Sequence, residues 1–483
     1  MSNQNTLLKL NVPRARITEE QKNESDLLQS EAADFSVKEM FVSRTDKRGI
    51  ISECNSVFER ISEFSKDELI SSPHNIIRHS DMPKCIFKLV WTRLKNNLNT
   101  AGFVKNKSKT GKYYWVLANF YVEDDGLFSI RVKPLSSHFE IIKSLYIELI
   151  KIEETKSVEK SSEYLMECLQ KLGFANYDQF MSTVLKDELE LRLASRALNK
   201  SKLISVHSTD FQKMNLELKN VELIKSNLEK SLDSISEVVR GITKSRVKEI
   251  QDIFNTDTFG RVCNRLEVLS VNMCITANKM ANEGAALYVV ANTFQATTQK
   301  FLKVFNEFKK SLENFKTQLQ KSENDLCQAY FLNEMLHFTV KNEVGNDVSD
   351  FFLNNLYLFK TARFYFCDIK KTQSDFIKNL HLTIRHSKIL FQNLVRIELI
   401  KTGGKIEGSR SDELTRLFGP FIDEMDRFVE EFKTPTEKII NLLSNHYELM
   451  QKAIPLISNM DFLLNETLTY LVTDNNLNEK NVA

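Results

Sequence analysis

The run Pro73-His74-Asn75-Ile76-Ile77-Arg78-His79-Ser80-Asp81-Met82-Pro83 sets two histidines, an arginine and an aspartate between prolines. An ordinary core segment has no use for that mixture, and the run reads as the wall of a binding pocket. Its flanks say how the wall is held. Ser65-Lys66-Asp67-Glu68 has the capping-box pattern, in which a serine hydroxyl and a glutamate carboxylate satisfy each other's backbone donors at a helix start. Asp81 can cap a second helix whose first turn tolerates Pro83, because a proline there forfeits no hydrogen bond. That helix carries Phe87, Val90, Trp91 and Leu94 on one face, a stripe that must pack against something.

The surrounding segments supply a sheet. Strand-like residues 39–45 and 50–54 flank Asp46-Lys47-Arg48-Gly49, whose glycine suits a hairpin turn. Downstream, 102–107 and 112–122 flank Lys109-Thr110-Gly111, and 127–132 follows Asp124-Asp125-Gly126. Along 113–120, Tyr114, Val116, Ala118 and Phe120 share one face, and Tyr113, Trp115, Leu117 and Asn119 the other. The expected fold is α+β, an antiparallel five-stranded sheet with helices packed over one face.

These residues carry a family resemblance. The segment from about residue 36 to 134 is similar to the PAS sensor domain of the bacterial aerotaxis receptor family. That family binds FAD noncovalently and reports redox state or oxygen to the chemotaxis machinery. Its run Pro-His-Asn-(Ile/Met)-(Ile/Val)-Arg-His-Pro-Asp-Met-Pro is matched from Pro73 to Pro83 except at Ser80. Asn55, Phe58, Trp91, Lys95, Gly102-Phe103-Val104-Lys105-Asn106, Gly111 and Tyr114-Trp115-Val116 also match. The family's Ser-Gly-Tyr is Ser62-Glu63-Phe64 here, and its tryptophan before the strand glycine is Thr100, departures that bear on the cofactor more than the fold.

Carried over residue by residue, the resemblance implies Asn55, Arg78, His79, Asp81, Trp91, Asn106 and Tyr114 as flavin-binding or signalling residues. Arg78 can meet a phosphate or a developing flavin anion, Asn106 can hydrogen-bond the ring edge, and Trp91 can line an apolar wall. Taken singly, each has a plainer reading: Arg78 and Asp81 as an ion pair fixing a loop, His79 as a satisfied half-buried histidine, Trp91 as core.

Composition narrows the classes. With 483 residues, of which 42% are hydrophobic, the chain holds two or more domains and can bury a core. A net charge of +2 gives no electrostatic case for nucleic acid, and no Lys/Arg block marks a membrane surface. The seven cysteines show neither close pairs nor metal-ligand spacing, as expected of a reducing cytoplasm. No apolar run reaches the roughly 18–20 residues of a membrane helix, and the charged N-terminus does not read as a signal peptide. No phosphate-cradling loop, nucleophile elbow or kinase signature is present, so no catalytic or metal site is expected.

After Val132 the character changes. No proline falls between Pro134 and Pro420 and glycine is sparse, so a long all-α, coiled-coil-like region is expected. Gly173 suits a helix end and Asn176 or Asp178 a helix start. Met214, Leu218, Val221, Leu228, Leu232, Ile235, Val239 and Ile242 recur in steps of three and four, a seam that predicts self-association unless an intramolecular bundle covers it. Residues 269–291 resemble the hairpin tip of methyl-accepting chemotaxis receptors at Asn272, Ile275, Ala277, Gly284, Val289, Val290 and Ala291. The family's Glu-Ala-Ala-Arg is Thr276-Ala277-Asn278-Lys279, so the output reads as degenerate. An ordinary small-residue helix pair is the alternative. Residues 402–408 read as a loop, and Pro420 and Pro435 as helix boundaries.

The expected organisation is an N-terminal extension (1–35), a PAS sensor domain (36–134), a helical linker with a degenerate signalling hairpin (135–330), a C-terminal helical bundle (331–472) and a disordered tail (473–483). The expected function is a cytoplasmic redox or oxygen sensor that binds FAD. It would signal through helices to chemoreceptors or the kinase-coupling complex, as a homo-oligomer and without membrane insertion. The alternative is a non-sensory PAS and helical scaffold without a cofactor.

Overall fold

Period-two alternation and the glycine turns produce the strands β1 (Met40–Asp46), β2 (Ile51–Cys54), β3 (Thr100–Lys107), β4 (Tyr113–Val122) and β5 (Gly126–Val132), in antiparallel order β2-β1-β5-β4-β3. The computed structural model describes residues 35–200, 216–244, 256–280, 285–343 and 348–480, which divide into two units between Val184 and Leu185. Of the expected N-terminal extension, only Phe35 falls within the described residues. At the β1–β2 turn Gly49 has φ +83°, and the Asp46 carboxylate accepts from the amides of Arg48 (2.8 Å) and Ile50 (2.9 Å).

Between β2 and β3 lie α1 (Ser56–Ser62), α2 (Lys66–Leu69), a 3-10 turn (His74–Ile77) and α3 (Lys84–Lys95). The capping box forms as read: the Glu68 amide donates to Ser65 Oγ (3.4 Å), and the Ser65 amide to Glu68 Oε2 (3.0 Å). Asp81, in contrast, does not cap α3. The first-turn amides of Lys84 and Cys85 instead donate to the two carboxylate oxygens of Glu153, each at 2.8 Å.

Glu153 belongs to α4 (His138–Thr155), which is followed by α5 (Val158–Lys171) and α6 (Tyr177–Lys200). Gly173, at φ +88°, ends α5, and Asn176 Oδ1 accepts from the Gln179 amide at 2.9 Å. These helices correct the expectation of one covered face. Phe139 and Tyr146 of α4 pack on Trp115 of β4, on the face opposite Ala118 and Phe120. The hydroxyls of Tyr146 and Tyr177 donate to the carbonyls of Phe103 (2.9 Å) and Ala101 (3.2 Å), satisfying the open edge of β3.

The second unit is built from α6 from Leu185 onward, with α7 (Leu216–Lys244), α8 (Thr256–Lys279), α9 (Ala285–Glu343), α10 (Val348–Gly408) and α11 (Asp412–Lys480). The last three run 59, 61 and 69 residues, roughly 90 to 100 Å each at about 1.5 Å per residue. Met214 lies outside the described residues. Leu228, Leu232 and Ile235 of the seam are buried within the bundle, where α7 packs on α9 and α11, which removes the seam as an argument for self-association.

Several boundaries shift. The one expected at 330 falls inside α9, and residues 402–408 complete α10. Helix α11 passes through Pro420, Pro435 and Pro455 and continues from 473 to 480, where a disordered tail was expected. An interior proline costs about 3 kcal/mol of helix. Phe418, Met425, Phe428, Phe432 and Ile439, each at most 3% exposed, bury enough apolar surface along α11 to offset it.

Candidate functional site

Sheet register places small and polar side chains under α3. Ser43 pairs with Ser129, Phe120 with Ser129, and Ala118 with Arg131, so these side chains emerge in rows on one face of the sheet. Over them lie Phe87, Val90, Trp91 and Leu94 of α3, on the face their spacing predicts, and His74, Asn75 and Arg78 of the 3-10 turn. The cavity, open to solvent on the side of Arg48, Asn75 and Arg78, measures about 280 Å³. That is near the small end of the roughly 300–1,000 Å³ of ligand sites, room for a fused aromatic ring rather than an entire dinucleotide.

The polar groups of the cavity are basic or neutral. Arg131 is 2% exposed; its Nη1 donates to Ser43 Oγ (3.0 Å) and its Nη2 to His74 Nε2 (2.6 Å), and its guanidinium lies 5.4 Å from the Phe58 ring centre. Burial pulls its pKa down to about 10. Burial, with Arg131 and Arg78 alongside, holds the His74 imidazole well below its ordinary range. Arg78, an exposed residue, lies 3.6 Å over the Phe87 ring, its backbone bridges that of Asn106, and partial burial of the guanidinium lowers its pKa. Asn106 Nδ2 and Ser129 Oγ, on residues 3% and 4% exposed, make no well-formed hydrogen bond, although the Asn106 amide lies near enough to the Tyr114 phenol to favour its ionised form slightly. Buried orphan donors of this kind are costly unless a ligand completes them.

Of the residues implied by the sequence, Arg78, Trp91 and Asn106 line the cavity. Asn55 does not: its side chain caps α1 through the Phe58 amide (3.3 Å) and ties down β1 through the Val42 amide (3.2 Å) and the Met40 carbonyl (3.1 Å). Tyr114 lies below the lining and packs edge-on against Phe41, with burial pushing its phenol pKa up. His79 and Asp81 form a separate cluster beside the edge strand. His79 Nδ1 accepts from the Asp81 amide (3.1 Å), and the Asp81 carboxylate takes Lys105 Nζ at 2.7 Å, so the Arg78–Asp81 ion pair is not formed. The structure adds Ser43, His74, Ser129 and Arg131. Strand parity in β5 was the available signal, since Leu127, Ser129 and Arg131 share the inward face.

No protein-family model matches the chain. The chain is 34% identical to the aerotaxis receptor of Escherichia coli (strain K12) over 124 residues, which is 25% of this chain and 24% of the receptor, so it spans about a quarter of that relative's length. Among solved structures, the PAS domain of a protein from Colwellia psychrerythraea is 20% identical, with 23% of this chain and 94% of that one covered and a TM-score of 0.18. The LOV domain of the blue-light activated histidine kinase of Erythrobacter litoralis EL346 is 12% identical, with 19% and 92% covered and a TM-score of 0.18. Among the described residues no helix is long and apolar enough to cross a membrane. The five-stranded antiparallel module at the front of this chain is a PAS domain, similar to the corresponding part of the aerotaxis receptor.

Proposed function

We propose that the PAS domain binds a flavin, FAD by the resemblance, and that the chain is a cytoplasmic redox or oxygen sensor without catalytic activity. Its helical unit would pass the ligand's state to chemotaxis partners, either chemoreceptors or the kinase-coupling complex. One observation carries the ligand: two orphaned buried polar atoms, Asn106 Nδ2 and Ser129 Oγ, border a cavity walled by Trp91 and Phe87. Bound flavin would supply reversible electron uptake. The chain's own residues supply the rest: Trp91 and Phe87 exclude water from a ring, Asn106 donates to its edge, and Arg78 offers a positive charge.

Relay is local in this reading. Asn106 and Phe103 sit on β3, whose edge Tyr146 holds, and Trp91 sits on α3, whose N-terminus Glu153 holds. A change in either wall therefore bears on α4. The alignment with the aerotaxis receptor supports the sensory reading, and its chemotaxis setting comes to this chain as part of the proposal. Full-length protein purified with FAD present is expected to be yellow and to release FAD on denaturation. A folded, colourless preparation would count against the flavin and favour a scaffold.

A further inference from the structure

The charge of the cavity specifies its ligand further than the ring does. Three arginines, Arg48, Arg78 and Arg131, line it, and no aspartate or glutamate does. Arg48 is paired with Asp46 at 2.8 Å. Among the described residues, no carboxylate lies within ion-pair distance of Arg78 or Arg131. Arg131 is the more deeply buried, and its two hydrogen-bond partners, Ser43 Oγ and His74 Nε2, are neutral acceptors. For Nε2 to accept, the His74 ring carries its proton on Nδ1 and stays uncharged. A buried cation held only by neutral groups and one aromatic face is incompletely compensated. The donors Asn106 Nδ2 and Ser129 Oγ, which make no well-formed hydrogen bond, border the same space.

We propose that Arg131, positioned by Ser43 and His74, is the receptor for a negative charge on the ligand, which therefore has a flat apolar body and an end that is anionic or becomes so. This deepens the flavin reading, on which it rests for the identity of the body. The test uses full-length Arg131→Met and Arg131→Lys proteins, with FAD as the probe. Methionine fills the space without charge, and Ser43 Oγ and His74 Nε2, 3.2 Å apart, keep each other as partners. An unfilled receptor is a liability to the free protein. FAD-free Arg131→Met is therefore expected to melt several degrees above FAD-free wild type, while its FAD dissociation constant rises at least tenfold. Arg131→Lys, retaining charge, is expected to fall between Arg131→Met and wild type in affinity. Unchanged FAD affinity in Arg131→Met overturns the proposal, as does a free form no more stable than wild type, which is the result for a merely structural arginine. If wild type takes up no FAD, the flavin reading fails by itself and the melting comparison decides. A more stable Arg131→Met then supports an anion receptor for another ligand, and an equal or less stable one overturns it.

Discussion

Glu153 reaches from α4 to the start of α3, and removing its carboxylate tests whether the helices after the sheet govern the cavity wall. Pro83, at the cap position of α3, makes no side-chain cap, so the Lys84 and Cys85 amides rely on Glu153 at 2.8 Å each. Loss of a capping acceptor costs about 0.5–2 kcal/mol, and loss of a negative charge at a helix N-terminus about 0.3–1 kcal/mol. For Glu153→Ala the sum is about 2 kcal/mol, because one of the two bonds is partly buried. A domain of this size shifts by about 2–4 °C per kcal/mol, so the PAS transition should fall by about 4–8 °C. Glu153→Gln, which keeps one acceptor oxygen, should fall by roughly half as much. Hydrogen exchange gives the local readout. The amides of the first turn of α3 should exchange faster in Glu153→Ala while those of the β1–β5 ladder do not. If α3 exchange and the melting temperature are both unchanged, Glu153 does not hold the wall, and the coupling through α4 is wrong.

Trp91→Ala and Asn106→Ala should each strip flavin while leaving far-UV circular dichroism largely intact, since one removes a wall and the other a donor; full flavin occupancy in both would remove the pocket assignment. In the helical unit, burial raises the Asp325 pKa to about 7, so the fold, which keeps the proton that the unfolded chain loses near pH 4, becomes steadily less stable as pH rises from about 4 to about 7 and stays so above. Asp325→Asn should therefore stabilise the bundle at pH 8, by at most about 4 kcal/mol, the equivalent of about three pH units between the unfolded and folded pKa values. The gain should fade as pH drops through 7 and vanish near 4, which denaturant titrations at several pH values would check. At the β1–β5 junction a Cβ on Gly126 would lie 1.9 Å from the Thr45 carbonyl oxygen, so Gly126→Ala must displace backbone. A loss of more than about 2 kcal/mol is expected in denaturant titration. Reconstituted with kinase and coupling protein, the chain alone should stimulate poorly, because Thr276, Asn278 and Lys279 replace the carboxylate, alanine and arginine of a receptor tip; robust stimulation would end the degenerate-output reading.

The strands, the Gly49 turn, the Ser65–Glu68 capping box and the apolar face of α3 were legible in the sequence because each rests on interactions spanning a few residues: alternation, a positive φ, a reciprocal cap, a helical period. The motif around Arg78 likewise marked one wall of the cavity. Its floor was not legible. Ser43, Ser129 and Arg131 meet only because β1 and β5 pair in one register, an agreement between segments more than eighty residues apart. Asn55 and Asp81 carry equally polar side chains, yet contacts with β1 and with Lys105, beside the local cap of α1 by Asn55, commit them away from the cavity. The same holds for the helices. Glycine and proline punctuation placed the break at Gly173 correctly, but at Pro420 and Pro435 it failed, because packing along α11 outweighs the local cost of a proline. Local chemistry thus determined which elements exist, while burial between distant segments decided which side chains share a cavity and which helices run on.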